Sequence, residues 1–439
     1  MKLLKTAAVA SILAMAAAIA GCGGDSPGES GKQPQTSNTP AIEIAPATLK
    51  VYISNSSLSD QDFTLLVTEP LRKKFPQINV ELIKPGQGTQ IADLVASGQT
   101  PDIIFTNNSD FGNYKSLGLL EDITPLLKKH QMNLDRFDPT ILSSAKAPNG
   151  ELYGLPFFTH FSALYYNKTI FDKFGVAYPE DGMTWEDTIA LAKKVSRSDN
   201  GVQYRGLDPD TIARMAMPLS LTYVDAKTER SAINSDGWRT VFTLAKEIWS
   251  IPNNKPEKLN SFNARNWFMK DQNIAMLPYN NLLNIGLEEA SKTGLNWDLV
   301  QYPSFKERPN VYNYVDSQLF IIAKTSKFKD QAAQLLNSIT SDEVQTLSSR
   351  KTARLTVLKD QDIQQSLGAD MEFLKGKNLK SIFKSKSAPV PEFSVYNVSS
   401  VRTKVFKGFE DYVNGKDLNT ALRETEESIN KWIDANNVK

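Results

Sequence analysis

Cysteine and histidine are nearly missing from this chain: 439 residues hold one Cys and two His. A single thiol cannot close a disulfide within the chain or build a cysteine-rich zinc site. With only His130 and His160, a three-histidine metal centre is out of reach, and a Ser-His-Asp triad would have to draw on one of those two. No metal and no cofactor are expected. Charge of one sign is missing too, since 50 basic side chains face 49 acidic ones. That balance gives no electrostatic reason to expect a nucleic-acid partner. Beyond the first 21 residues no apolar run approaches membrane-spanning length. The composition does supply a core: 41% of residues are hydrophobic and 9% aromatic, which rules out wholesale disorder. The length suits two to three domains or one large bilobal body.

Residues 1–21 read as a secretory leader. Lys2 and Lys5 begin it, an Ala-rich stretch from Thr6 to Ala20 follows, and the small residues Ala20 and Gly21 precede Cys22. The run Ile19-Ala20-Gly21-Cys22 resembles the bacterial lipobox, whose cysteine is acylated and becomes the first residue of the mature chain. Residues 22–47 then form a Gly, Ser, Pro, Thr and Gln-rich tether, too poor in apolar side chains to offset the entropy of ordering it. The protein is accordingly expected on the extracytoplasmic face of a cell membrane, held by acylated Cys22. Removing the leader takes two lysines and no acid, which leaves one more acid than base.

From residue 49 the hydrophobic pattern alternates between strand and helix periods. Strands are predicted over residues 49–54, 78–83 and 101–105. Helices are predicted between them, over residues 60–75 with Pro70 as a kink or restart, and over 90–97. This β-α-β-α-β order points to a parallel, doubly wound sheet, in which ligands bind beyond the carboxyl ends of the strands. Later helices are predicted over 237–249, 282–292 and 329–339, with Ser341 capping another that runs to Arg350. A pair of helices over 400–436 should break at Asn414-Gly415. Thr184-Trp-Glu-Asp187 resembles a capping box. Trp185, Trp238 and Trp249 read as core, while Trp267 is undecided. The five lysines from Lys375 to Lys386 read as a solvated basic face.

The ordered pieces Gly150-Glu-Leu-Tyr-Gly-Leu-Pro-Phe157, Ala163-Leu-Tyr-Tyr-Asn-Lys168, Phe171-Asp-Lys-Phe-Gly175 and Pro179-Glu-Asp-Gly-Met-Thr-Trp185 carry a family resemblance. Pro101-Asp-Ile-Ile104 and Phe268-Met-Lys-Asp-Gln-Asn-Ile-Ala-Met276 join them. Together, over about residues 48–439, the set is similar to family 1 extracellular solute-binding proteins of bacterial ABC importers. One departure stands out: Leu277-Pro-Tyr-Asn-Asn281 replaces the Gly and Trp that many members carry after Ala-Met.

The resemblance implies an α/β, two-lobed periplasmic-binding-protein-like fold, each lobe a sheet flanked by helices, with the ligand cleft at the hinge. It places lobe 1 at 48–157 plus 317–352 and lobe 2 at 158–316 plus 353–439. Crossings would lie near Pro156–Phe158, Tyr314–Ser317 and Ala353–Leu355. It further implies a monomer that captures a carbohydrate, an oligosaccharide by preference, and delivers it to ABC permease subunits without catalysis.

Sugar recognition requires flat apolar surfaces and planar polar groups. Asn107, Asn108 and Asp110, at a strand's carboxyl end, suit hydroxyl contacts. Tyr279 and Asn280 follow a strand in lobe 2, and Tyr279 reads as a cleft platform or a packing ring. Tyr314 and Asp316, with Tyr312, stand at the second crossing and face either cleft or core. His160 reads as a ligand donor or a structural hydrogen-bonder, Tyr223 as a cleft aromatic, and Arg354 as a hydroxyl clamp or a structural ion pair. Rival readings keep the fold with a peptide, polyamine or organic anion as cargo. Another is a surface-anchored glycoside hydrolase, which needs two carboxylates set on either side of a bond, and a last one is a purely structural lipoprotein.

Overall fold

The computed structural model describes residues 44–147 and 149–436. The leader, Cys22 and the tether as far as residue 43 lie outside the described residues. Strands are numbered in chain order. The first five are β1 (Ala47–Ile53), β2 (Ile78–Ile83), β3 (Ile103–Asn107), β4 (Leu155–His160) and β5 (Ser162–Asn167). Then come β6 (Arg197–Asp199), β7 (Val202–Leu207), β8 (Val224–Asp225), β9 (Arg230–Ser231) and β10 (Ile274–Asn280). The last are β11 (Trp297–Gln301), β12 (Val311–Tyr314), β13 (Asp316–Ile322) and β14 (Lys386–Ala388).

Two five-stranded sheets carry the two lobes, in the orders β2-β1-β3-β13-β4 and β11-β5-β10-β7-β6. As the alternating pattern predicts, β1 pairs in parallel with both β2 and β3. A strand from far along the chain, β13, then enters antiparallel between β3 and β4, with Gln318 opposite Asn107 and Asp316 opposite His160. Every residue of β4 and β5 is buried, the polar Thr159, His160, Ser162 and Asn167 included. Phe320 packs against Phe105 and Phe157 at centroid distances of 5.1 and 5.6 Å in the first lobe. Trp185, Trp238 and Trp249 lie in the second lobe's core, as the sequence predicts.

Pro70 leaves its mark on the first helix. The helical run from Asp60 to Lys74 contains a π turn over Thr64–Thr68, and the Glu69 N–H reaches back to the Thr64 carbonyl. The widened turn makes room for a ring that lacks an N–H, so the helix continues. Thr184 and Asp187 form the expected reciprocal capping box, and Ser341 caps the helix Asp342–Thr352. The helix predicted from Leu282 begins only at Leu287. Asn281 Oδ1 and the Tyr165 hydroxyl take the N–H groups of Leu283 and Leu282, and Gly286 sits at φ +87°, so the turn closes on side chains first.

The chain leaves the first sheet through Phe161, between β4 and β5, and returns through Val315, between β12 and β13. Residues 156 and 158, where the first crossing was expected, are instead held in β4 by pairing with Leu319 and Gln318. At the third crossing Ala353 adopts φ +46° and Leu355 bridges to Thr159. Val357, Leu358 and Ile363 then pack in the first lobe's core before Leu367, Leu374 and Ile382 pack in the second. The lysine-rich segment is partly spent on internal partners: Lys377 donates to the Trp297 carbonyl at 2.6 Å and Lys384 pairs with Asp181 at 2.5 Å. Among the described residues no helix is long and apolar enough to cross a membrane.

Candidate ligand cleft

The carboxyl end of β3 opens into a cavity of about 640 Å³ between the lobes. Its first wall is the turn that follows β3. Asn107 Oδ1 accepts from the Ser109 N–H at 3.0 Å and from its hydroxyl at 2.5 Å, so the side chain caps the short 3-10 turn Asn108–Asp110. That turn brings Asp110 back over the strand, where its carboxylate accepts from Thr106 Oγ1 at 3.1 Å and Asn107 Nδ2 at 3.2 Å. Asn108 faces the crossing: its amide donates to the Val315 carbonyl and accepts from the Ser317 N–H, each at 3.2 Å.

The crossing forms the floor. Tyr314 and Asp316 flank Val315 and both line the cavity, and Asp316 accepts from Gln318 Nε2 at 3.1 Å. Burial chiefly, with the charge of Asp316 beside it, pushes the Asp110 carboxyl above its ordinary value, against hydrogen bonds from Thr106 and Asn107 and the charge of Arg402. Burial also pushes the Tyr223 and Tyr314 phenols up, so both stay protonated as donors.

The second lobe supplies the opposite wall. Tyr223 lies 5.8 Å from the Trp238 ring, and its N–H donates to Asn397 Oδ1 at 3.2 Å. Arg214 donates to Asp210 at 2.9 Å and covers the Tyr279 ring at 3.9 Å. At the mouth Phe262 is 46% exposed at φ +57°, backed by Arg402 at 5.2 Å and Phe406 at 5.8 Å. Amides, hydroxyls, two carboxylates, two guanidinium groups and three aromatic rings thus surround one space. Such a set can hydrogen-bond hydroxyl groups and pack against flat apolar faces.

Six of the residues singled out in the sequence line this cavity: Asn107, Asn108, Asp110, Tyr223, Tyr314 and Asp316. The other four sit behind it. Tyr279 is buried under Arg214, and Asn280 ends β10 with its Oδ1 lacking a hydrogen-bond partner. His160 is buried edge-on to Phe158 with Nδ1 likewise unpaired. Burial, and the charges of Arg354 and Arg214, push it below its ordinary value against the pull of Asp316, which keeps it neutral. Arg354 pairs with Asp62 and donates to the Ser57 carbonyl, each at 2.8 Å, so it ties the third crossing to the first lobe as a structural ion pair. Sequence reasoning missed Arg214, Arg402, Asn397 and Phe262. Only Phe262 left a signal, as an aromatic set among polar residues in Asn260-Ser-Phe-Asn263.

Among the described residues no group of three or more His, Cys, Asp or Glu side chains is placed to hold a metal. Two sheets with a polar, ring-lined cleft at their crossings define a two-lobed, periplasmic-binding-protein-like fold. Residues 56–346 match the bacterial extracellular solute-binding proteins, and the chain belongs to that family. It is 25% identical over 237 residues to the melibiose/raffinose/stachyose-binding protein MelE of Bacillus subtilis, covering 51% of this chain and 52% of that protein. It is 28% identical over 145 residues to the multiple sugar-binding protein of Streptococcus mutans, covering 31% of each. The chain thus spans about a third to a half of the length of these relatives. Among solved structures, an ABC substrate-binding protein from Listeria monocytogenes in complex with cycloalternan superposes with TM-score 0.72 at 20% identity, covering 88% of this chain and 99% of that one. The maltose-maltodextrin binding protein of Alicyclobacillus acidocaldarius gives 0.64 at 16% identity, covering 87% and 100%.

Proposed function

We propose that the protein captures a carbohydrate, an oligosaccharide by preference, between its lobes and delivers it to the permease of an ABC importer. The observation that carries this reading is the cavity of about 640 Å³, lined by amide and hydroxyl groups together with the rings of Tyr223, Tyr314 and Phe262. Asn107, Asn108, Asp110 and Asp316 take sugar hydroxyls from the first lobe and crossing. Arg214, Asn397 and Arg402 take them from the second. His160, Tyr279, Asn280 and Arg354 support this set from behind. The relatives that bind melibiose, raffinose, stachyose or multiple sugars support the same class of solute.

Capture works by closure. Solute bridging both walls binds the closed arrangement better than the open one and shifts the population toward it. The lobes hinge at the three crossings, as a monomer tethered through acylated Cys22. A thermal-shift screen against melibiose, raffinose, stachyose, mannobiose and mannotriose, with peptides and polyamines as controls, tests the cargo, because binding raises the melting temperature with ligand concentration. A shift with a peptide or polyamine and with no sugar overturns the proposal. Turnover of a glycoside that Asp110→Asn abolishes would show the two cleft carboxylates to be a hydrolytic pair instead. Replacing Cys22 by Ala should move the protein from the membrane to the soluble fraction.

A further inference from the structure

A second cavity, of about 680 Å³, adjoins the first. Asn108, Gly112 and Val395 line both, so the two spaces are neighbours across one contact. That contact is made by a strap, residues 389–397, which the second lobe lays over the first. Ser220 Oγ donates to the Pro389 carbonyl at 2.7 Å, Ser394 donates to the Glu229 carboxylate, and Asn397 receives the Tyr223 N–H. Gly112 lets the strap seat closely. A Cβ there would stand 2.9 Å from Val395 Cα and 3.5 Å from the Ser394 carbonyl.

The second space likewise combines aromatic rings with hydroxyls and balanced charge, on a more apolar lining. Phe111 and Tyr153 meet edge-on at 5.8 Å on the first lobe's side. Phe393, from the strap, meets Tyr314 of the first cavity at 5.6 Å, so aromatic surface continues through the divide. Lys115 and Lys146 are balanced by Glu229 and Glu392 in the same lining. An ionic cargo would call for a surplus of one sign, and a purely apolar one would leave those four charges desolvated without return. A neutral solute with hydroxyls and flat C–H faces suits both features.

We infer that the second cavity is a further section of the same cleft, in which the extra units of a longer oligosaccharide rest on Phe111, Tyr153 and Phe393. This rests on the carbohydrate reading above. A short sugar fills the first cavity with the strap seated on Gly112. A longer one passes the strap and lifts Val395 from that glycine.

Calorimetric titration of the full-length protein with melibiose, raffinose and stachyose, and with mannobiose and mannotriose, reads affinity against chain length. The wild type should bind the longest member of its series at least about fivefold more tightly than the disaccharide. Tyr153→Ala and Phe111→Ala should abolish that gain while leaving disaccharide affinity within about twofold. Gly112→Ala, which props the strap away, should weaken the disaccharide and spare the longer sugar. Disaccharide binding with no gain in length, or equal losses at every length in the variants, overturns the inference and leaves the carbohydrate reading standing. Failure of every sugar to bind overturns both.

Discussion

Phe262 holds an arrangement that costs free energy. An aromatic residue at φ +57° is in the left-handed region, where a side chain pays roughly 1–2 kcal/mol. The ring is also 46% exposed, so about half of the burial gain of a Phe, ~1 kcal/mol, is all it returns to the fold. Phe262→Gly removes the strain, adds back ~0.5–1 kcal/mol of backbone entropy, and forfeits that partial burial. These contributions nearly cancel, so the unliganded melting temperature should move by no more than about 3 °C. Affinity should respond differently. A ring that stacks on a sugar face contributes ~0.5–1.5 kcal/mol beyond its area, so the dissociation constant should rise about three- to tenfold. Phe262→Trp should keep the wild-type value. Differential scanning calorimetry on the unliganded protein and isothermal titration with the best sugar of the panel measure the two quantities separately. An unchanged dissociation constant in the glycine variant would refute the platform role. A fall in melting temperature well beyond 5 °C would show the ring to be core, and the strain argument would fail with it.

Three further outcomes follow from charged groups near the crossings between the sheets. Asp110 has a raised carboxyl because of burial first and Asp316 second. Its stabilising contribution is complete below the unfolded value of 3.8 and is lost as pH rises through the folded one. Asp110→Asn should therefore stabilise the unliganded protein in urea at about pH 7.5, less so at about pH 4.5, and weaken sugar binding; destabilisation at the higher pH would contradict this. His160 is lowered by burial, so its contribution is present above 6.5 and is lost as pH falls. His160→Gln should flatten the stability profile between about pH 7.5 and 5.5, and an unaltered slope would remove His160 from the account. Asp62→Asn removes the charge that faces the buried Arg354 guanidinium, which keeps the Ser57 carbonyl and the Phe158 ring. The loss in denaturant unfolding should fall near the lower end of the ~3–5 kcal/mol typical of a broken buried pair, because Asp62 keeps partial contact with water. A loss below ~1 kcal/mol would show the pair to be dispensable.

The first lobe's parallel strands were legible because β1, β2 and β3 follow one another with helices between, and local period alone carries that order. Nothing local announced β13. It enters beside β3 from more than 200 residues away, and its antiparallel sense depends on where the second crossing returns the chain. The same division applies to the site. Asn107, Asn108 and Asp110 could be named because strand ends of this sheet type face ligands. Arg402 lies in a stretch that the sequence marks only as helix, and the packing of the second lobe brings it to the cavity. Tyr279 was ambiguous in the sequence because a strand position does not reveal which neighbour covers it. The guanidinium of Arg214, itself on another element, does so.

Asn108 joins the cavity wall to the second crossing. One amide side chain touches both cavities and grips the backbone on either side of Asp316. On the proposed reading, occupancy need not be relayed to the second crossing through intervening structure, since the cavity wall and that crossing share a residue. The cost is a loss of independence. If residues 107–110 take the solute as proposed, a change there also alters the grip on the second crossing, so such changes should come paired with compensating changes around residues 315–317.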